Sequence, residues 1–235
     1  VMRNAAMSKA SAEDSSKAVR LAMIEGQIRP NRVSDERVLD AIRTVPREQF
    51  VPKFLRGVAY LDEDLEIAEG RYLMEPMVFA RLVMAADIKP DDVVLDIGAA
   101  TGYSTAVLSR LAETVVTVEE DADLAGKAST KLSEQGCDNA VVIEGKLVVG
   151  APDHGPFDVI VINGAVETIA DSLMAQLADH GRLVCVRQQD GVSRGVVFTK
   201  TSAGDGAEKA VGARELFDAF TPVLPGFSKK ETFRF

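Results

Sequence analysis

The residues best suited to chemistry lie between Val93 and Tyr103. The run Val93-Val94-Leu95-Asp96-Ile97-Gly98-Ala99-Ala100-Thr101-Gly102-Tyr103 reads as a strand, a tight turn of small residues and the start of a helix. Such a turn lets backbone approach a ligand closely, and the helix N-terminus offers N–H groups without partners. Glu119 closes the next predicted strand. In a doubly wound sheet, Gly98 and Glu119 face the same crevice, where a carboxylate can accept both hydroxyls of a ribose. Each feature has an ordinary structural reading: a tight βα turn, and a solvated acid beside Glu120 and Asp121. Together they point to a nucleoside site. A dinucleotide pyrophosphate asks for G-x-G-x-x-G, and the G-A-A-T-G from Gly98 to Gly102 lacks the middle glycine. Asp96, just before the turn, suits the ammonium end of S-adenosylmethionine by Coulomb attraction.

Composition removes other chemistries. The chain has 235 residues, with 27 Lys plus Arg against 36 Asp plus Glu, a net charge of −9. That balance, without a clustered basic run, argues against nucleic acid or an anionic membrane as partner. The two cysteines, Cys137 and Cys185, are far apart, which fits a reducing, cytoplasmic setting and no disulfide framework. With only His154 and His180 beside them, no zinc site is expected. There is no G-x-S-x-G nucleophile elbow, and no uncharged apolar run is long enough to span a membrane.

The elements that must position the turn follow from pattern. Residues 1–16, rich in Ala and Ser without an apolar stretch, read as a disordered tail. Residues 17–90 form a helical and loop-rich cap. Lys17 to Ile28 is a helix stopped by Pro30, and Ser34 caps a second helix with Val38, Ile42 and Val45 as its apolar stripe. Pro46 to Glu75 is irregular, a length that marks a functional surface. Pro76 then starts a helix to about Ala86. Residues 91–235 form the ligand-binding core. Its expected strands are Val93–Leu95, Val115–Val118, Ala140–Ile143, Phe157–Ile162 and Arg182–Val186. Helices are expected over Tyr103–Leu111, Ala122–Gln135 and Val166–Ala178. The alternation predicts an α/β, doubly wound, mostly parallel sheet. Gly195–Lys200 and Ala213–Phe220, joined by Thr201 to Val211, predict a closing antiparallel hairpin, an ending more typical of methyltransferases than of dehydrogenases.

With those residues in view, the chain resembles the protein-L-isoaspartate O-methyltransferase family from about Met23 to Val186. Val45-Pro46-Arg47-Glu48-Gln49-Phe50-Val51-Pro52 is similar to the family signature ahead of its substrate loop. Ala59-Tyr60 and Leu65-Glu66-Ile67 fit that loop, Val94 to Tyr103 the cofactor turn, and Val118-Glu119 the ribose-binding acid. Gly145 to Gly150, Pro156-Phe157-Asp158 and Gly181-Arg182-Leu183-Val184 continue in register. The resemblance implies a Rossmann-like class I methyltransferase fold, S-adenosyl-L-methionine as cofactor, and methyl esterification of isoaspartyl carboxylates in damaged proteins, the first step of their repair.

The departures fall at working positions. The family's T-I-S-Q-P loop is here Tyr72-Leu73-Met74-Glu75-Pro76, so Met74 replaces the serine that meets the substrate carboxylate, and Glu75 the glutamine. Ala100 stands at the middle glycine of the turn. Lys146 and Leu147 replace the acid and glycine of the adenine-binding G-D-G. The resemblance thus puts Met74, Glu75 and Asn163, at the end of the fourth strand, on the acceptor side. Asp96, Gly98, Ala100, Gly102, Glu119, Lys146 and Leu147 fall on the cofactor side. Asp158 and Cys185 read as structural. The expected partner is a protein or peptide substrate. The departures keep open a paralogue that methylates another acceptor, a small molecule included, and a non-catalytic binding module on the same scaffold.

Overall fold

The computed structural model describes residues 14–201 and 211–229. Its centre is a seven-stranded sheet of order β5-β4-β3-β6-β7-β8-β9. The strands are β3 Val93–Ile97, β4 Thr114–Glu119, β5 Ala140–Glu144, β6 Phe157–Val166, β7 Leu177–Gln189, β8 Val192–Lys200 and β9 Val211–Asp218. Pairs from β5 through β7 are parallel, while β7–β8 and β8–β9 are antiparallel. The chain leaves β3 toward β4 and β5, then returns to the other side of β3 as β6. The crevice above the C-terminal ends of β3 and β6 is therefore the topological switch point, where doubly wound sheets bind ligands.

The central strands are apolar on both faces because each face is covered. Val94, Val115, Val159, Val161 and Val184 point into one core with Leu39, Ile42, Phe79, Leu82 and Val107. Their neighbours Leu95, Ile97, Val116, Val118 and Ile160 point into a second core with Leu147, Leu173, Leu224 and Phe227. The first core is roofed by α1 (residues 14–23), α2 Glu36–Thr44, α3 Pro76–Ala86 and α4 Tyr103–Leu108. Helix α5, Ala122–Glu134, flanks β4 and β5.

Several expectations change. Residues 1–13 lie outside the described residues, and residues 14–16 of the expected tail already belong to α1. That helix runs on through a wide turn, Ile24–Ile28, to Arg29–Asn31. Asp35, not Ser34, caps α2: its side chain accepts from the Arg37 N–H at 2.9 Å. The irregular stretch from Pro46 to Glu75 contains a hairpin, β1 Leu65–Ala68 and β2 Arg71–Leu73, turning at Gly70 with φ of 64°. No helix spans Val166 to Ala178; β6 continues to Val166, and only one turn, α6 Asp171–Met174, is helical. The cause is tertiary: Ala165 donates to Pro222 and accepts from Leu224, which keeps that backbone extended. Of the connection expected over Thr201 to Val211, residues 202–210 lie outside the described residues, and Val211 already begins β9.

The capping difference is measurable. Asp35→Ala should lower stability by about 1 kcal/mol. Ser34→Ala, at an exposed position outside the cap, should leave the urea midpoint unchanged.

Candidate active site

The β3–α4 turn is held in the shape its residue types predict. Gly98 and Gly102 have φ of 74° and 95°, left-handed values that glycine adopts without penalty. A Cβ at Gly102 would also lie 3.3 Å from the Ala128 backbone. Ala100 shares the left-handed conformation at φ 52°, which costs an ordinary residue roughly 1–2 kcal/mol. In return its N–H points at Glu119, donating to Oε2 at 2.8 Å.

Glu119 is fully buried. The Glu120 and Asp121 N–H groups donate to Oε1 at 2.9 and 3.1 Å. Arg71, reaching over from β2, completes the shell. Its Nη1 donates to Oε1, and its Nη2 to Oε2 at 2.6 Å. The guanidinium is nearly as buried as the carboxylate. Both oxygens that could accept ribose hydroxyls are thus engaged from within the chain.

Asp96 is also buried and saturated. Ser104 and Thr105 hydroxyls donate to Oδ2 at 2.8 and 2.7 Å, and Asn163 Nδ2 to Oδ1 at 2.6 Å. Burial pushes its carboxyl up to about 6, against the pull of these three donors. Asn163 also donates to the Ile97 carbonyl at 3.1 Å, so its amide holds Asp96 at the end of β3. Asp158 accepts the Val93 N–H at 2.9 Å, a structural tie. Cys185 is buried in β7, and burial pushes its thiol up to about 12.

On the acceptor side, Met74 is buried and offers its carbonyl, not its side chain, to Arg47 Nη2 at 2.7 Å. Glu75 is half-buried, and its N–H donates to Asp64 Oδ1 at 2.8 Å. Burial first, then the charges of Asp62 and Asp64, pushes its carboxyl up to about 7. Arg47 was not singled out beyond its place in the signature. It is fully buried, donates Nε to the Ala59 carbonyl at 2.7 Å, and lies 4.9 Å above the Tyr103 ring. Its Nη1 has no hydrogen-bond partner. The cleft between these groups, lined by Arg47, Tyr72, Met74, Phe79, Tyr103 and Asn163, has a volume of about 10 Å³, room for one water.

The side that the resemblance assigns to adenine is closed as well. Lys146 is exposed, and Leu147 is buried in the second core. The segment after β9 crosses the switch point. Val223 bridges to Ala165, and Phe227 accepts from the Glu167 N–H at 3.0 Å. A Cβ at Gly98 would lie 3.0 Å from both Leu224 methyls, and one at Gly164 2.9 Å from Leu224 Cβ. The space a nucleoside would take between these two glycines is filled by Leu224. In this closed arrangement Arg71 and Leu224 occupy the crevice, while Gly98, Gly102 and Glu119 are residue types that would hold S-adenosylmethionine there. Sequence reasoning found the turn and the acid but missed Arg71, Arg47 and Leu224. A lone arginine inside the substrate loop was the one available signal for Arg71.

Comparison with known proteins agrees with this architecture. The family model described as protein-L-isoaspartate(D-aspartate) O-methyltransferase (PCMT) matches residues 19–213. A protein-L-isoaspartate O-methyltransferase of Koribacter versatilis is 42% identical over 165 residues, 70% of this chain and 74% of that one. Protein-L-isoaspartate O-methyltransferase 2 of an Anaeromyxobacter species is 37% identical over 208 residues, 88% and 84% of the two chains. A solved protein-L-isoaspartate O-methyltransferase superposes with a TM-score of 0.73 at 21% identity, covering 90% of this chain and 66% of that chain. A Plasmodium falciparum protein assigned the same activity, solved with S-adenosyl-L-homocysteine, gives a TM-score of 0.71 at 19% identity over 87% and 97%. At those identities the structures speak for the fold.

The raised carboxyls of Glu75 and Asp96 set a pH dependence. Both hold a proton to higher pH folded than unfolded, where their ordinary values are 4.5 and 3.8. Stability should therefore fall as pH rises from about 4 to about 7, then level off. Glu75→Gln should flatten part of that slope. Above pH 7 it should stabilise the fold by no more than about 1 kcal/mol, since solvent screens a half-exposed group. Urea unfolding at pH 5 and pH 8 checks this; equal slopes in parent and variant would refute it.

Proposed function

The chain belongs to the protein-L-isoaspartate(D-aspartate) O-methyltransferase family, and on that premise we propose that it methylates the carboxylate of an isoaspartyl residue in a protein substrate. S-adenosylmethionine, the methyl donor implied by the family, supplies an electrophilic methyl group when bound. The acceptor needs no general base, because a carboxylate is already ionised at neutral pH. What the protein must contribute is alignment and exclusion of water.

The observation that carries this reading is Arg47. A fully buried guanidinium with Nη1 unpartnered, lining the cleft beside Met74 and Asn163, is the natural counter-charge for an anionic acceptor. A charge-assisted contact from Nη1 suits a carboxylate. It compensates for the family serine that Met74 lacks. Glu75 opposes an anion only while ionised, and near neutrality much of it is protonated. Asn163 positions Asp96 at the strand end rather than touching the acceptor.

Met74 and the ionised fraction of Glu75 favour a second reading, a neutral acceptor, because neither offers a side-chain donor to an anion. No helix among the described residues is long and apolar enough to cross a membrane. Two buried free cysteines support the cytoplasm as the compartment.

Methyl transfer to an isoaspartyl peptide tests the assignment. Arg47→Lys keeps the charge but loses the Nη1 donor. It should raise KM for that peptide about ten- to hundredfold, the loss expected for one hydrogen bond to a charged group. Binding of S-adenosylhomocysteine should be unaffected. An unchanged KM, or transfer only to a peptide whose isoaspartyl carboxyl is amidated, would favour the neutral acceptor.

A further inference from the structure

We propose that Arg71 and the C-terminal strap, residues 221–229, form a two-part latch over the nucleoside cleft, which must open before the cofactor binds. The proposal rests on the reading that this cleft is the methyl-donor site.

Each half of the latch occupies a position the donor needs. Arg71 takes both oxygens of Glu119, the only acidic group at the end of β4 that faces inward. Leu224 fills the space between Gly98 and Gly164. Neither is a loose contact. The strap is tied by hydrogen bonds from Ala165 to Pro222, from Leu224 to Ala165, and from Glu167 and Thr168 to Phe227. Leu224 and Phe227 are 5% and 1% exposed. At Gly226, a Cβ would lie 2.9 Å from Val148 Cγ1, so the strap also lies against the segment that follows β5, where adenine would rest.

Opening is nonetheless local. When Arg71 leaves, Glu119 keeps three backbone donors, from Ala100, Glu120 and Asp121. Ribose hydroxyls can then replace the guanidinium, so the acid is never stranded. Arg71 sits on a two-stranded hairpin separate from the main sheet and can swing toward solvent with it. The strap joins the sheet by one isolated bridge rather than a ladder.

The hairpin also carries Tyr72 and leads directly into Met74 and Glu75, the acceptor loop. Coupling between two ligands is reciprocal. An acceptor peptide that draws the hairpin outward raises donor affinity by the same factor as the donor raises its own. Closed molecules weaken apparent donor affinity in proportion to their share of the population.

Calorimetry with S-adenosylhomocysteine on the parent, Arg71→Gln, Leu224→Ala and the double variant tests the latch. Circular dichroism confirms that each is folded. Each single variant should bind about tenfold more tightly than the parent or better, and the double variant more tightly still. In the parent, saturating S-adenosylhomocysteine should speed hydrogen exchange at the Ala165, Glu167 and Leu224 amides. Variants that bind no better than the parent, or amides that stay equally protected in the complex, would overturn the latch. A double variant that binds tightly yet methylates no isoaspartyl peptide would leave the latch standing and remove the acceptor assignment instead.

Discussion

The buried pair between Arg71 and Glu119 is the constraint on which the rest of the site depends. Two charges have been taken out of water and joined through both guanidinium forks. Removing one partner of such a pair, with nothing in its place, costs about 3–5 kcal/mol. The pair locks the β1–β2 hairpin onto the end of β4, although the two are remote in sequence. It thereby fixes the loop that follows β2, the proposed acceptor loop, against the crevice. The turn responds to the same carboxylate. Ala100 accepts a left-handed backbone, and its N–H completes the shell around Glu119.

Charge near the cleft is arranged in two ways. Where acids are buried they are saturated: Asp96 by two hydroxyls and an amide, Glu119 by Arg71 and three N–H groups. Where they crowd, burial raises the carboxyls of Glu75 and Asp64, and at Glu75 the charges of Asp62 and Asp64 add to it. At the cleft, Arg47 is fully buried and keeps Nη1 as an unused donor. A net charge of −9 therefore need not repel an anionic acceptor, because the local field at the cleft is set by Arg47 and a partly protonated Glu75.

The sheet was legible because its strands are continuous apolar runs ending in the turn and the acid, and because alternation of strands with helices dictates parallel pairing. Val93–Ile97, Thr114–Glu119 and the closing hairpin fall where pattern puts them. The helix expected over Val166 to Ala178 failed because a distant segment, Pro222 to Leu224, claims the Ala165 backbone; no local window carries that information. The β1–β2 hairpin hid for a related reason, being too short to show alternation. In the site, Asp96, Gly98, Gly102 and Glu119 were readable from type and spacing. Their partners were not: Arg71, Arg47 and Leu224 meet them only through the fold. Leu147 and Lys146 illustrate the converse, since the turn after β5 sends one into the core and the other to solvent.

The proposed donor cleft is held shut by the chain's own residues, Arg71 and Leu224. The most direct measurement is a structure of the chain crystallised with S-adenosylhomocysteine. Glu119 is expected on the ribose hydroxyls, with Arg71 withdrawn and Leu224 no longer between Gly98 and Gly164. A nucleoside bound in that crevice with Arg71 still on both Glu119 oxygens and the strap in place would contradict it.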